Sequence, residues 1–521
     1  EGAQRGAGET GWITSGLCAE GTDAQREAVD SGCGLDDPVL EGPTKELIPV
    51  RAIGYRGRDS VNNVHHVSGT SFAYPTAGLI VVQDWTDGTQ KIFQGHTDDV
   101  KSLDVVKTEN GAVLASGAEG KDAEIIVWDE SGKTVQSFKK GGLAVCAVRV
   151  SPDGSRVAAA YEPGATAKAF TIKVFDVASG KAIAEVDAGS SEIYDLAWDR
   201  TAGENANNQF ISAAEKEVYI NKVEGGSIDR TKVLLKGGSP QRFGSVTSNS
   251  SSVFVGTASG EVYRVDTQHR QVDKVVDKNA KSKDASAVAV NEDGVLVHGK
   301  AVGIVKWAGP GVKASGLNMN KEADVHGSGK NQVRAVSIID SDTFLIGTGA
   351  GQIAKVARKD AGGDVELLVD AHHSAHLKDA AYTPELWGLQ KRAGTRQFVS
   401  VGEDRVVRVW DISKDSSVPV QTVTLPDAGK TDSKVRANAV AVHPTKGEAV
   451  VADNSGSAHL IDLDTGKVTK TVAAGKRGCV CVSYSPDGEL VAVGSDNNDK
   501  KGVKILSSTD LSTKASTSVH L

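Results

Sequence analysis

The feature that most constrains this chain is a strand ending that returns ten times. Apolar runs close on Asp84-Trp85, Trp128-Asp129, Phe175-Asp176, Val265-Asp266, Trp410-Asp411 and Ile461-Asp462, and weaker counterparts fall near Asn221, Trp307, Val356 and Leu506. Successive endings lie from about 42 to about 54 residues apart. Such a period means one supersecondary unit per repeat, each unable to bury its apolar face alone and therefore stacked on its neighbours. The units read as β. Residues 124–128 and 405–410 are β-branched runs that end on an aromatic ring. Ser151-Pro152-Asp153-Gly154 and Ser485-Pro486-Asp487-Gly488 are reversals in which Pro presets φ and Gly takes the angle that closes the turn. Strands of small side chains follow at 157–160 and 490–494, and they let neighbouring sheets approach closely around an axis.

Gly95-His96 followed about thirty residues later by Trp128-Asp129 is the signature of a WD-type β-propeller blade. The expected fold is all-β, a tandem of WD-repeat propellers. Ten units exceed the four to eight blades of one ring and fall short of two rings of seven. The first ring is therefore expected to hold about seven blades, and the second to be partial, with unpaired strand edges that need cover. Residues 1–45 show no periodicity and are rich in Gly, Ala, Glu and Asp, which suits an irregular arm. The expected division is an arm at 1–45, a first propeller with its leading segment at 46–375, and the start of a second propeller at 376–521.

The string Tyr55-Arg56-Gly57-Arg58-Asp59, with Asn62-Asn63 behind it, resembles the HELP motif of the echinoderm microtubule-associated protein-like family. Residues 95–101 resemble the opening of the next blade in that family. Glu385-Leu386-Trp387-Gly388-Leu389, followed by residues 403–411, resembles one of its late blades. The resemblance implies two joined atypical propellers with the HELP segment packed in the core between them, so residues 47–63 are expected at the seam. It implies tubulin, microtubules or axonemal proteins as partners, and a place in the cytoplasm and cytoskeleton, the ciliary or flagellar axoneme included. Family members carry further blades in the second ring. Many also carry a coiled coil and a basic region, and neither pattern occurs in these 521 residues.

Composition excludes several classes. The net charge of −8 and the lack of a basic block argue against nucleic acid. It also argues against bulk electrostatic attraction to tubulin, whose surface is acidic. No apolar run reaches the roughly 18 residues of a membrane-spanning helix, so no membrane partner is expected. The start has no apolar signal core and no Met, and residue 1 reads as a processing point or the start of an ordered fragment. Cys18, Cys33, Cys146, Cys479 and Cys481 are odd in number and irregular in spacing, which suits free thiols in a reducing cytosol. Cys479 and Cys481, two apart in a strand, are expected on one face.

The polar residues read as structural. His96, Ser116 and Trp128 form a WD-type hydrogen-bond set, and His372, Ser400, Asp404 and Trp410 form a fuller one, with the Asp accepting from the His. A satisfied buried chain of this kind rigidifies a blade. A hydrolase reading of His, Asp and Ser fails because the spacing tracks the repeat and no Gly-x-Ser-x-Gly elbow exists. His372, His373 and His376 lack a Cys or carboxylate cluster to complete a metal site, and His65-His66 point to opposite faces of a strand. Arg56, Arg58 and Asp59 read as a set that satisfies itself and nearby carbonyls, not as a ligand patch. Residues 347–351 lack the Gly-Lys-Ser/Thr of a phosphate loop and read as a hairpin, so no cofactor is expected. The function expected is a non-enzymatic, microtubule-associated scaffold that works through the surface loops of a rigid ring. The alternative is a general WD-repeat adaptor that does not bind microtubules. A propeller enzyme would need acid, base or metal groups converging on the channel, and the sequence offers none.

Overall fold

In the computed structural model the described residues are 49–517, apart from 121–122, 140–142, 165–166, 237, 277–286, 301–303, 310–311, 319–331, 358–363, 372–385, 427–434, 476–477 and 496–501. The expected arm at 1–45, with Cys18 and Cys33, lies outside them, as do His372, His373, His376 and Glu385.

Among the described residues the chain folds into ten four-stranded antiparallel blades, numbered 1 to 10 along the sequence: 65–93, 100–139, 145–189, 193–232, 243–276, 288–318, 333–370, 386–424, 437–473 and 479–517. Every blade pairs its strands in chain order, from an inner first strand to an outer fourth. Blades 3 and 4 are also linked at their outer edges by one parallel pair, Glu185 with Ser227. Strands sit where the β-branched runs lie. Glu124–Asp129 alternates between the faces of two neighbouring blades, and all but its last residue are buried. Adjacent blades share their apolar faces: Ile125, Val127, Val145, Val148 and Val157 form one such layer between blades 2 and 3. A fully buried side chain of this type contributes roughly 1.5–3 kcal/mol. The blades approach closely where glycine permits it. A Cβ on Gly117 of blade 2 would lie 2.4 Å from Val145 of blade 3.

The inner strands pack in cyclic order from blade 1 through blade 7, and blade 7 returns to blade 1. Seven blades thus close a ring. Two hydrogen bonds fasten the closure: Asn62 N donates to Arg334 O at 3.0 Å, and His66 N donates to Ser337 Oγ at 2.9 Å. Blades 8, 9 and 10 continue as an arc through their own inner strands.

The arc is tied to the ring at a polar seam. Arg408 of blade 8 is fully buried and donates to Asp404 at 2.5 Å and to Asp370 of blade 7 at 3.2 Å. Asp370 N donates to Ser417 O at 3.0 Å, and Ser417 Oγ donates to Gln83 of blade 1 at 3.0 Å. With these ties Ile53–Leu521 forms one compact unit.

Candidate interaction face and the clamp behind it

One end of the ring is shaped by a recurring irregularity. The inner strands of blades 2, 3, 4, 5 and 7 each carry a bulge near their start, where Lys101, Cys146, Tyr194, Gly244 and Arg334 are the extra residues of the register shift. Blades 8, 9 and 10 repeat it at Trp387, Asn438 and Val480. A bulge bends its strand and re-aims the extra residue. Here the extra residue lies beside the end of the ring where the inner strands begin.

That face is rich in carboxylates. Asp98, Asp99, Glu119, Glu162, Glu192, Glu215 and Glu217 flank the strand ends of blades 2 to 4. Several are held in place: Glu162 pairs with Lys101, and Glu217 accepts from Lys232 at 2.6 Å and from the Tyr219 hydroxyl at 2.7 Å. The Tyr194 hydroxyl lies 2.7 Å from Glu192 and 2.8 Å from Glu215, and the Arg242 guanidinium lies 5.4 Å from the centre of its ring. Such a fixed set of charged loops on a rigid ring can recognise a protein surface. Among the described residues no cluster of His, Cys, Asp and Glu is arranged to hold a metal.

The segment expected to be a structural motif lies directly on this ring. Arg56 N donates to Pro75 O of blade 1 at 3.1 Å. Its guanidinium grips Asp59 with two bonds, at 2.9 and 2.6 Å, reaches Glu119 of blade 2 at 3.0 Å, and lies 3.4 Å from Asp99. Burial works against the Asp59 carboxylate, but the hydrogen bond and charge of Arg56 prevail and lower its pKa. For Asp99 burial prevails and raises the pKa. Ser60 Oγ donates to Lys101 O. Asn63 is fully buried. It accepts from the Tyr55 hydroxyl at 2.8 Å, and its amide donates back to Arg56 O at 2.6 Å. Gly57 has no alternative, since a Cβ there would lie 2.0 Å from Thr348 O of blade 7. Arg58 has interactions of its own, though its Nη1 is buried without a hydrogen-bond partner.

Asn62 carries the chain inward. Its φ of 48° is left-handed, a conformation Asn tolerates better than most residues. Its amide donates to Asp195 of blade 4 at 2.6 Å. Asp195 is fully buried, pairs with Arg149 of blade 3, and accepts from Leu196 N at 2.8 Å and Val246 N at 2.9 Å. His65 Nε2 lies 2.9 Å from the carbonyls of both Asn62 and Leu103, so that nitrogen carries the proton. These bonds join the segment to blades 1, 2, 4 and 7 of the first ring. The joint between ring and arc lies elsewhere, at Arg408, Asp370 and Ser417.

Two further predicted sets come out differently from each other. Trp128 Nε1 donates to Ser116 Oγ at 2.8 Å, and Ser116 Oγ lies 2.6 Å from His96 Nε2. His96 Nδ1 is buried without a hydrogen-bond partner, and burial pushes the imidazole pKa down to about 4. In blade 8, Trp410 Nε1 donates to Ser400 Oγ at 2.7 Å. Asp404 there receives Arg408 and Val406 N. Its expected donor, His372, lies outside the described residues. In blade 4, Asn221 stands where other blades place Trp, and its amide donates to Ser212 Oγ at 3.0 Å. Cys479 is buried while Cys481 is exposed, because the bulge at Val480 falls between them.

Sequence reasoning missed Arg149, Asp195 and Arg408. Each is a charged residue inside an apolar strand, Val145–Val150, Ile193–Trp198 and Val406–Asp411. That interruption was the available signal, because a charge buried there must have a partner.

The sequence profile of the "WD domain, G-beta repeat" family matches residues 88–129 and 466–500. Similar proteins extend over almost the whole chain. Echinoderm microtubule-associated protein-like 2 of Rattus norvegicus is 25% identical over 476 residues, covering 89% of this chain and 68% of the relative. Echinoderm microtubule-associated protein-like 1 of Homo sapiens is 24% identical over 486 residues, covering 88% of this chain and 53% of the relative. The chain carries WD repeats and is similar, along about nine tenths of its length, to echinoderm microtubule-associated protein-like proteins. A ciliary WD repeat-containing protein, ctxp80, of Euplotoides octocarinatus is 25% identical over 528 residues, covering 93% of this chain and 67% of the relative. The chain thus spans about half the length of the human family member and about two thirds of the other two.

Proposed function

We propose that this protein is a non-enzymatic, microtubule-associated scaffold that recognises tubulin, or proteins bound to microtubules, through loops on a rigid propeller face. The observation that carries the reading is the likeness, along about nine tenths of the chain, to proteins named for microtubule association and to a ciliary WD-repeat protein. The clamp supports it. Residues 55–63 are committed to holding blades together, so recognition falls to the loops that the clamped ring presents. The reading places the protein on the cytoskeleton, the ciliary axoneme included. It also keeps the division of the chain into a first propeller at 46–375 and the start of a second at 376–521. One observation favours a general adaptor as the second reading: the carboxylate-rich face of blades 2 to 4 suits a basic protein partner better than an acidic lattice. Co-sedimentation with purified microtubules separates the two readings. The scaffold pellets with polymer, and the adaptor stays in the supernatant.

A further inference from the structure

The outer strands of blades 8 and 9, Gln421–Thr424 and Lys467–Ala473, are the last strands of their sheets, and among the described residues each joins a ladder on one side only. Between them runs an open groove of about 560 Å³, bordered by Thr422, Thr424, Pro426, Lys467, Thr469 and Lys470. That volume lies within the roughly 300–1,000 Å³ of ligand-sized clefts. An unpaired outer strand offers main-chain donors and acceptors to any extended segment laid beside it.

The chain itself shows what such an edge accepts. At the boundary of blades 4 and 5, the segment through Leu234 lies parallel to the outer strand of blade 5: Leu234 N donates to Arg270 O at 2.7 Å and Val272 N donates to Leu234 O at 3.0 Å. At the boundary of blades 7 and 8, Ser417 pairs in parallel with Val369 of the outer strand Val365–Asp370. The groove at blades 8 and 9 offers the equivalent edge. Its charge is one-sided. Lys467 and Lys470 are exposed, and among the described residues no carboxylate borders it.

We propose that this groove binds an extended acidic peptide segment of a partner protein, which adds as a β-strand to the free edge of Lys467–Ala473 while its carboxylates meet Lys467 and Lys470. Main-chain pairing supplies the affinity and the two lysines the preference for acidic sequence. The site is independent of the microtubule reading.

The probe is a fluorescein-labelled peptide of about ten residues alternating Glu and Val, long enough for one added strand. It is titrated with the whole protein and followed by anisotropy. The expected result is saturable binding, weakened about tenfold by Lys467→Glu combined with Lys470→Glu. Both lysines are exposed, so the melting temperature of this variant should match the parent. A Lys/Val peptide should bind at least about tenfold more weakly, and so should a Glu/Val peptide with Pro at alternate positions, which loses its main-chain donors. Absence of binding up to about 1 mM would mean that the lysines only guard the edge. Equal affinity for the Lys/Val peptide would refute the charge preference, and equal affinity for the Pro peptide would refute strand addition. A concentration-dependent dimer abolished by the charge reversal would show that the groove seats a second copy, and would overturn the peptide assignment.

Discussion

Replacing Asp195 by Leu probes the lock at the centre of the first ring. The carboxylate has no exposed surface, and it accepts from Arg149, Asn62 Nδ2, Leu196 N and Val246 N. Its removal leaves the Arg149 guanidinium buried without its counter-charge, and breaking a buried pair from one side costs about 3–5 kcal/mol. The ring melts as a large unit, so each kcal/mol moves the midpoint by about 2–3 °C, and the expected fall is about 6–15 °C. Trp198 is a built-in reporter. Its indole is buried and donates to Arg149 O at 3.0 Å, so its fluorescence should follow this layer during a thermal or urea ramp. The companion variant Arg149→Met with Asp195→Leu removes both charges together. It should recover at least about half of the loss, since an apolar pair of similar volume replaces a buried ion pair at little cost. A loss under about 1 kcal/mol for the single variant, or strict additivity of the two substitutions, would refute the reasoning.

Three further outcomes are expected. His96 is held neutral by burial, with a pKa near 4 in the folded state against 6.5 in a free chain, so the folded protein binds fewer protons. Its stabilising contribution is complete above about pH 6.5 and is lost as pH falls toward 4, by at most about 3 kcal/mol; the fall in melting temperature over that window should flatten in His96→Gln. Arg408→Met leaves Asp404 and Asp370 facing each other without a cation, which should loosen the arc from the ring, cost about 3–5 kcal/mol, and expose the seam to limited proteolysis; an unchanged digestion pattern counts against it. Trp128→Ala and Trp410→Ala should each cost about 3–5 kcal/mol, because the indoles are 1% and 4% exposed and anchor their blades. Thermal unfolding within a degree or two of the parent would refute that role.

The repeat was readable because its cause is local. A β-branched run ending in Trp-Asp, and a Pro-Asp-Gly reversal, act over a handful of residues, and the blades formed where those signals lie. Ser116 and Trp128, or Ser400 and Trp410, could be paired from spacing because they sit on neighbouring strands of one blade. Asp404 also takes part in a tie that spacing did not reveal. It accepts from Arg408, four residues on in the strand that follows its turn, and the tie onward to Asp370 crosses to another blade. Arg149 and Asp195 meet across the boundary of blades 3 and 4, and Asn62 reaches Asp195 over 133 positions of sequence. Such meetings depend on the rotation of one blade against the next, which no local pattern encodes. The bulges escaped notice for the same reason. A single extra residue in an alternating run shows only when the strands are in register, and Val480 accordingly separated two cysteines that the alternation had placed together.

The central claim is that a clamped propeller face recognises the microtubule by shape. Co-sedimentation of the purified protein with taxane-stabilised microtubules, at about 0.05 M and about 0.2 M salt, tests it most directly, because a basic tether that displaced counterions would lose affinity steeply over that range. With a net charge of −8 and no basic block, the protein should pellet with polymer at both salts, its affinity changing by less than about tenfold. Protein that stays in the supernatant at both salts would contradict the claim and leave the general adaptor in its place.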